Sequence, residues 1–143
     1  HALTFHPAGT DRREALLALI RGAQTSLSLV FYIFAEDEAG RAVRDALAEA
    51  ATRGVRVTLI IDRFGSAASA AFLDPLVAAG GRFLCFSPRW SLQYLIRNHQ
   101  KMAIADGSRA LFGGFNIADD YFAPPGPAAW TDLAIGIEGP AVA

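Results

Sequence analysis

Apolar positions along this chain change period several times, and each change marks an element. Leu3–His6 is a short run of the kind that opens a sheet as a strand. Helical spacing follows: Leu16, Leu19, Ile20 and Ala23 share one face, with Asp11 and Glu14 spaced as a capping box at its start. Ser26–Phe34, dense in β-branched and aromatic residues after its first turn, predicts a strand. Asp37–Arg53 predicts a second amphipathic helix, with Val43, Leu47 and Ala50 in register and Gly54 as its stop. Val55–Asp62 is an apolar strand, Ser69–Ala79 a third helix closed by Gly80-Gly81, and Arg82–Phe86 another strand.

Ser87–Asn98 has mixed character and predicts a loop. Beyond it the pattern is that of a hairpin: Gln100–Ala105, a turn at Asp106-Gly107, then Arg109–Phe112. Ala123–Ala129, with Pro124, Pro125, Gly126 and Pro127, is a loop, and Leu133–Glu138 alternates like a last strand. Strands and helices alternating at this spacing predict an α/β class, with a mixed, largely parallel sheet flanked by helices. No internal repeat or low-complexity tail divides residues 1–143, which read as one domain.

Composition narrows the function classes. The 143 residues are 52% apolar and 19% charged, enough to bury a real core. A formal net charge of −1 offers no general attraction to nucleic acid or acidic membrane, so any such affinity must be local. The longest apolar runs, such as Leu29–Ala35, have strand length and do not approach a membrane span. Cys85, the only cysteine, excludes an intrachain disulfide and lies in the apolar run Phe83–Phe86, which predicts a buried structural thiol. The chain opens on His1, without a signal peptide, as an excised or processed piece of a longer protein would.

One count points to chemistry. Twelve of the thirteen basic residues are Arg, and the only Lys is Lys101. A site that needs a compact ammonium rather than a planar fork would use Lys there. His99 stands two residues away, so on a strand the imidazole and the ammonium project to the same face. Gly113-Gly114-Phe115-Asn116, on the other arm of the hairpin, removes side-chain bulk just before an amide. A nucleophile, a cation, a bare backbone and an amide donor together suit a tetrahedral phosphate. Trp130-Thr131-Asp132 then supplies a carboxylate. No pair of His, Cys or carboxylates stands at ligand spacing beside His99, so the chemistry is expected to need no metal and no cofactor. Bland explanations stand beside some of these: Asp106 suits a two-residue turn, Asn116 a short helix cap, and Asp132 a strand end bonded to a loop. Tyr32, Asp62 and Ser66 lie at strand ends where pockets form, and packing or capping explains them equally well.

The run His99-x-Lys101, Asp106, Gly113-Gly114-x-Asn116 resembles the signature of the phospholipase D superfamily. Phe31-Tyr32-Ile33-Phe34, Arg53-Gly54-Val55, Asp62 with Phe64-Gly65-Ser66, Trp130-x-Asp132 and Gly139-Pro140 are similar to the amino-terminal half of bacterial cardiolipin synthases. The resemblance implies a phospholipase D-like catalytic lobe, the first of two in its parent protein, because the family site takes two such motifs and this chain holds one. It implies displacement through a phosphohistidine: His99 and Lys101 catalytic, Asp106 part of the signature, and Asp132 orienting His99. Lys101, Gly113, Gly114 and Asn116 would hold the substrate phosphate. Most members read Gly-Ser where this chain has Gly113-Gly114, so phosphate contacts there are expected from backbone N–H groups.

The implied substrate is a phosphatidylglycerol-like phospholipid, and the implied partner a second lobe, in cis or from a homodimer. The segment 82–109 carries net charge +4, with Trp90, Leu92, Tyr94, Leu95 and Ile96 between Arg89 and Arg97. Such a loop would rest on an anionic bilayer, giving peripheral attachment to the bacterial cytoplasmic membrane, or bury against the partner lobe. The alternatives within the superfamily are a hydrolytic phospholipase and a nuclease; outside it stands a non-catalytic dimerising or lipid-binding lobe. An isolated apolar-basic loop favours lipid over nucleic acid, which needs a longer basic track.

Overall fold

The computed structural model describes residues 1–86 and 99–142, and the periods read above appear in it as a seven-stranded sheet with a layer of helices. In chain order the elements are β1 (Ala2–His6), α1 (Gly9–Arg21), β2 (Ser26–Phe31), α2 (Glu38–Thr52), β3 (Arg56–Asp62) and α3 (Ala70–Ala78). Then come β4 (Arg82–Phe86), β5 (Met102–Ala105), β6 (Arg109–Gly113), α4 (Asp119–Phe122), β7 (Ala134–Glu138) and a 3-10 turn at Pro140–Val142. The expected loop Ser87–Asn98, with its apolar-basic stretch Arg89–Arg97, lies outside the described residues.

Strand order is β1-β7-β6-β5-β2-β3-β4, a mixed α/β sheet as expected. Its parallel share is smaller than the alternation suggested. Only β2–β3 and β3–β4 run parallel, joined by crossovers through α2 and α3. The β5–β6 hairpin, the return of β7 and the placement of β1 beside β7 make the other four ladders antiparallel. A tight turn can join only antiparallel neighbours, and the Asp106-Gly107 turn joins β5 to β6 that way.

The register puts Leu27, Leu29, Phe31, Leu59, Ile61, Ala103 and Ala105 on the face beneath the helices, where each is at most 2% exposed. Leu16, Ile20, Val43, Leu47, Leu73 and Leu76 meet them from α1, α2 and α3. Full burial of one such side chain contributes about 1.5–3 kcal/mol. The opposite face is also apolar, with half-buried Val30, Ile60, Met102, Ile104, Phe112 and Ile135, and no described helix covers it. Leu3, Phe5 and Leu84 extend that face toward the two edges and are exposed.

Two expectations fail for local reasons. The Asp11–Glu14 capping box does not form, because α1 begins earlier, at Gly9, behind Ala8. Gly9 lies so close to the Phe122–Ala123 backbone that an added Cβ would stand 2.9 Å from the Phe122 carbonyl carbon, and Asp11 falls inside the first turn. Cys85 is exposed rather than buried. It belongs to β4, which among the described strands pairs with β3 alone, so an apolar run there lacks the second neighbour a core strand has.

Arg12 was not anticipated. It is 1% exposed and donates to four main-chain carbonyls: Pro7 at 2.5 Å, Asp132 at 2.7 Å, Tyr121 at 2.8 and 3.2 Å, and Trp130 at 3.2 Å. Burial lowers its pKa, and the charges of Asp132 and Asp11 act the other way. The guanidinium fork thereby clamps the 121–132 segment onto α1. Replacing Arg12 by Met, which keeps the reach and removes the donors, should lower the unfolding free energy by at least about 2 kcal/mol. Urea unfolding followed by circular dichroism measures this, and an unchanged midpoint would assign the segment's placement to packing alone.

Candidate active site at one edge of the sheet

Strand directions gather the candidate residues. β2, β3 and β6 end at one edge of the sheet, and β5 and β7 start there. His99 and Lys101 therefore lie just before β5, Gly113 and Gly114 at the end of β6, and Asp132 just before β7. Asn116 follows close behind.

His99-Gln100-Lys101 precedes β5 instead of forming its first residues, since that strand begins at Met102 rather than Gln100. The pair is brought together on a ring. The His99 imidazole stacks on Tyr32, with centroids 4.3 Å apart and planes 20° from parallel. Lys101 Nζ donates to the His99 carbonyl at 3.0 Å and lies 5.8 Å from the Tyr32 centroid, within cation–π range. Partial burial lowers the Lys101 pKa, and the nearby Asp132 carboxylate opposes that shift.

Beneath Tyr32 sits the turn after β3. The Asp62 carboxylate accepts from the N–H groups of Phe64 (2.8 Å) and Gly65 (3.2 Å), while its second oxygen is buried and has no partner among the described residues. Ser66 Oγ donates to the Tyr32 carbonyl and accepts from Phe34 N–H, both at 3.0 Å. Tyr32, Asp62 and Ser66, ambiguous in sequence, thus form one connected support.

Gly113 and Gly114 supply room rather than donors. Their N–H groups are taken by the Lys101 carbonyl (3.3 Å) and the Leu133 carbonyl (3.4 Å), which corrects the expectation of free backbone donors. A Cβ on Gly113 would stand 3.0 Å from Ala134 Cα, and one on Gly114 would stand 2.8 Å from Asp132 Oδ2. Asp132 itself accepts from Leu133 N–H at 2.7 Å, and among the described residues it makes no hydrogen bond to His99. Asn116 is 3% exposed, and its Oδ1 accepts from Ile33 N–H at 3.1 Å, tying the post-β6 segment to the chain after β2. It does not cap α4, whose N-cap is Ala118. The starts of α2 and α4 are instead bound reciprocally: Asp119 N–H donates to Asp37 at 2.7 Å and Ala39 N–H to Asp119 at 2.7 Å.

Asp106 is not brought to this edge. It closes the far end of β5, five residues from Lys101 along an extended chain, about 16 Å at the usual rise. With Gly107 it takes left-handed φ values of 54° and 62°, as a two-residue hairpin turn requires. Its carboxylate accepts from the N–H groups of Thr25 (2.7 Å), Ser26 and Gln24 (both 3.1 Å) and pairs with Arg109 at 2.8 Å. These bonds, Thr25 N–H foremost, hold its carboxyl well below the usual carboxylate range.

This fold is that of a phospholipase D-like domain. More narrowly, the chain belongs to the family described as "Cardiolipin synthase, PLD-like domain", which matches residues 16–132. It is 36% identical over 140 residues to the major cardiolipin synthase ClsA of Bacillus subtilis, covering 94% of this chain and 29% of that protein. To cardiolipin synthase B of Salmonella typhimurium it is 36% identical over 141 residues, covering 94% of this chain and 34% of that one. The chain thus spans about three tenths of the length of these curated relatives. The phospholipase D family member Nuc from Salmonella typhimurium shares the fold, with TM-score 0.75 at 23% identity over 99% of this chain and 84% of Nuc. So does the phosphatidylserine synthase of Haemophilus influenzae, with TM-score 0.75 at 16% identity over 96% of this chain and 33% of that one.

The Asp106 contacts predict a pH signature. A carboxyl whose folded pKa is depressed contributes stability that is complete above its unfolded pKa, about 3.9, and fades as pH falls through the folded value. Asp106→Asn should therefore cost most stability near neutral pH and progressively less below about pH 4. Thermal unfolding of both proteins across that range checks this; a difference independent of pH would remove the carboxylate from the account.

Proposed function

We propose that this chain is the first lobe of a bacterial cardiolipin-synthase-like phosphatidyltransferase, acting on phospholipid phosphodiesters through a phosphohistidine. The observation that carries the reading is the convergence of the His99 imidazole and the Lys101 ammonium beside the bare Gly113-Gly114 backbone. Membership of the cardiolipin synthase family supports a lipid substrate over nucleic acid. No described helix is long and apolar enough to cross a membrane, so in this lobe membrane contact would be peripheral, through the Arg89–Arg97 segment.

One His nitrogen attacks phosphorus while the leaving alcohol takes a proton from an opposing His; the phosphoryl group now rides on the first. The opposing His then deprotonates the acceptor alcohol, which displaces the phosphohistidine and restores both imidazoles. His99 fills one of these positions. Lys101 holds the non-bridging oxygens with its compact charge, the glycines admit the tetrahedral group, and the Asn116 amide completes the cradle. Asp132 acts on this centre through the ammonium, whose charge it favours, and orients His99 once a substrate has drawn the two together. The step needs no metal or cofactor. Asp106 serves by holding the hairpin whose other end carries Lys101.

Two measurements test this. Lys101→Arg keeps the charge but replaces the compact donor with a wide fork, and should cost at least about tenfold in turnover, or about 1.4 kcal/mol. Near-wild-type turnover in that variant would reduce Lys101 to general electrostatics. The chain alone and monomeric lacks an opposing acid and base, assistance worth about 10²–10⁴-fold, so it should not turn over. Light scattering combined with an assay against phosphatidylglycerol decides this: robust His99-dependent turnover from a monomer would sink the two-lobe account.

A further inference from the structure

Among the described residues the His99 side chain has little but one aromatic ring to hold it. It is exposed, lies before the first residue of β5, and among the described residues its imidazole makes no hydrogen bond. The ring of Tyr32 is its described contact, close and nearly parallel. That same ring lies under the Lys101 ammonium, which donates to the His99 main-chain carbonyl. A histidine free to turn about its side-chain torsions would spend much of its time off any reaction line, and misplacement of about 1 Å can cost on the order of a hundredfold in rate.

The seat under Tyr32 is built, in contrast to the histidine above it. Gly65 leaves the ring its space: a Cβ there would stand 2.9 Å from both Cε1 and Cζ of Tyr32 and 2.5 Å from its carbonyl oxygen. Gly65 is held in turn by its N–H bond to Asp62, a residue 2% exposed. Ser66 pins the Tyr32 carbonyl from the same turn. The path Asp62, Gly65-Ser66, Tyr32, His99 is continuous and consists of short contacts from a buried carboxylate to an exposed imidazole.

We infer that Tyr32 is a positioning residue for His99 and Lys101, and that Gly65 is glycine so that the ring can lie flat beneath both. The π face orients the imidazole by stacking and holds the ammonium from below by cation–π attraction, leaving the upper side of each to a phosphate. The kinetic consequence rests on the phosphodiester-transfer reading; the ring contact does not.

The test uses Tyr32→Phe, which keeps the ring, Tyr32→Leu, which removes it, and Gly65→Ala, which displaces it with tyrosine still present. Stacking moves the His99 ring protons upfield of those of His1 and His6 in proton spectra of the chain, with His99→Asn to assign them. That shift should persist in Tyr32→Phe and collapse in Tyr32→Leu and Gly65→Ala, and the last two should bind inorganic phosphate more weakly. In the two-lobed protein, Tyr32→Leu and Gly65→Ala should lower kcat by about tenfold or more with KM little changed, and Tyr32→Phe should restore most of the loss. Unshifted His99 protons in the wild type would overturn the inference, as would Tyr32→Leu with wild-type phosphate affinity. If no variant, wild type included, turns over phospholipid, the transfer reading fails, and the ring shift and phosphate binding still decide the role of Tyr32. Gly65→Ala guards against Tyr32→Leu failing to fold.

Discussion

One buried cation sets where the chain runs at the edge that carries the candidate site. The Arg12 guanidinium, closed off from water, draws together carbonyls from Pro7, Tyr121, Trp130 and Asp132, segments that share no strand. Unpaired, that charge could not stay buried; paired with main chain, it dictates where the chain runs. Asp132 offers its carbonyl to Arg12 and its carboxylate to the surroundings of Gly114 and Lys101. The placement of Asp132 is thus inherited from the first turn of α1.

From the opposite direction the site is held by the segments that leave β2, β3 and β6. Tyr32 lies on the turn anchored by Asp62, and Asn116 fastens the segment after β6 to Ile33. Parallel strands and a hairpin meet here, so one edge collects strand ends from both connection types.

Much of this was legible because the periods were clean. Alternation and helical spacing placed the described strands and helices within a few residues, and the His99-x-Lys101 spacing with Gly113-Gly114 picked out the edge. What failed depended on neighbours that a linear pattern does not show. Cys85 looked like core because its run is apolar, and edge position left it exposed. The glycine N–H groups looked free because the residues are small, whereas the ladder had already engaged them. Asp106 sits five residues from Lys101 in sequence and a full strand from it in space, because an extended chain separates what a helix would bring together. Arg12 did leave a trace: four residues before Leu16, it falls on the apolar stripe of α1, where a charge calls for buried acceptors.

The space above Gly114 has one occupant. A side chain there would stand 2.9 Å from Asp132 Cγ, so a hydroxyl at 114 and a carboxylate at 132 in its present place exclude each other. Converting this lobe to the Gly-Ser form would require the serine to arrive and the aspartate to withdraw together, while Arg12 keeps hold of the aspartate backbone. Positions 114 and 132 therefore share one space, and a side chain brought in at 114 alone would meet the Asp132 carboxylate unless that group turned aside.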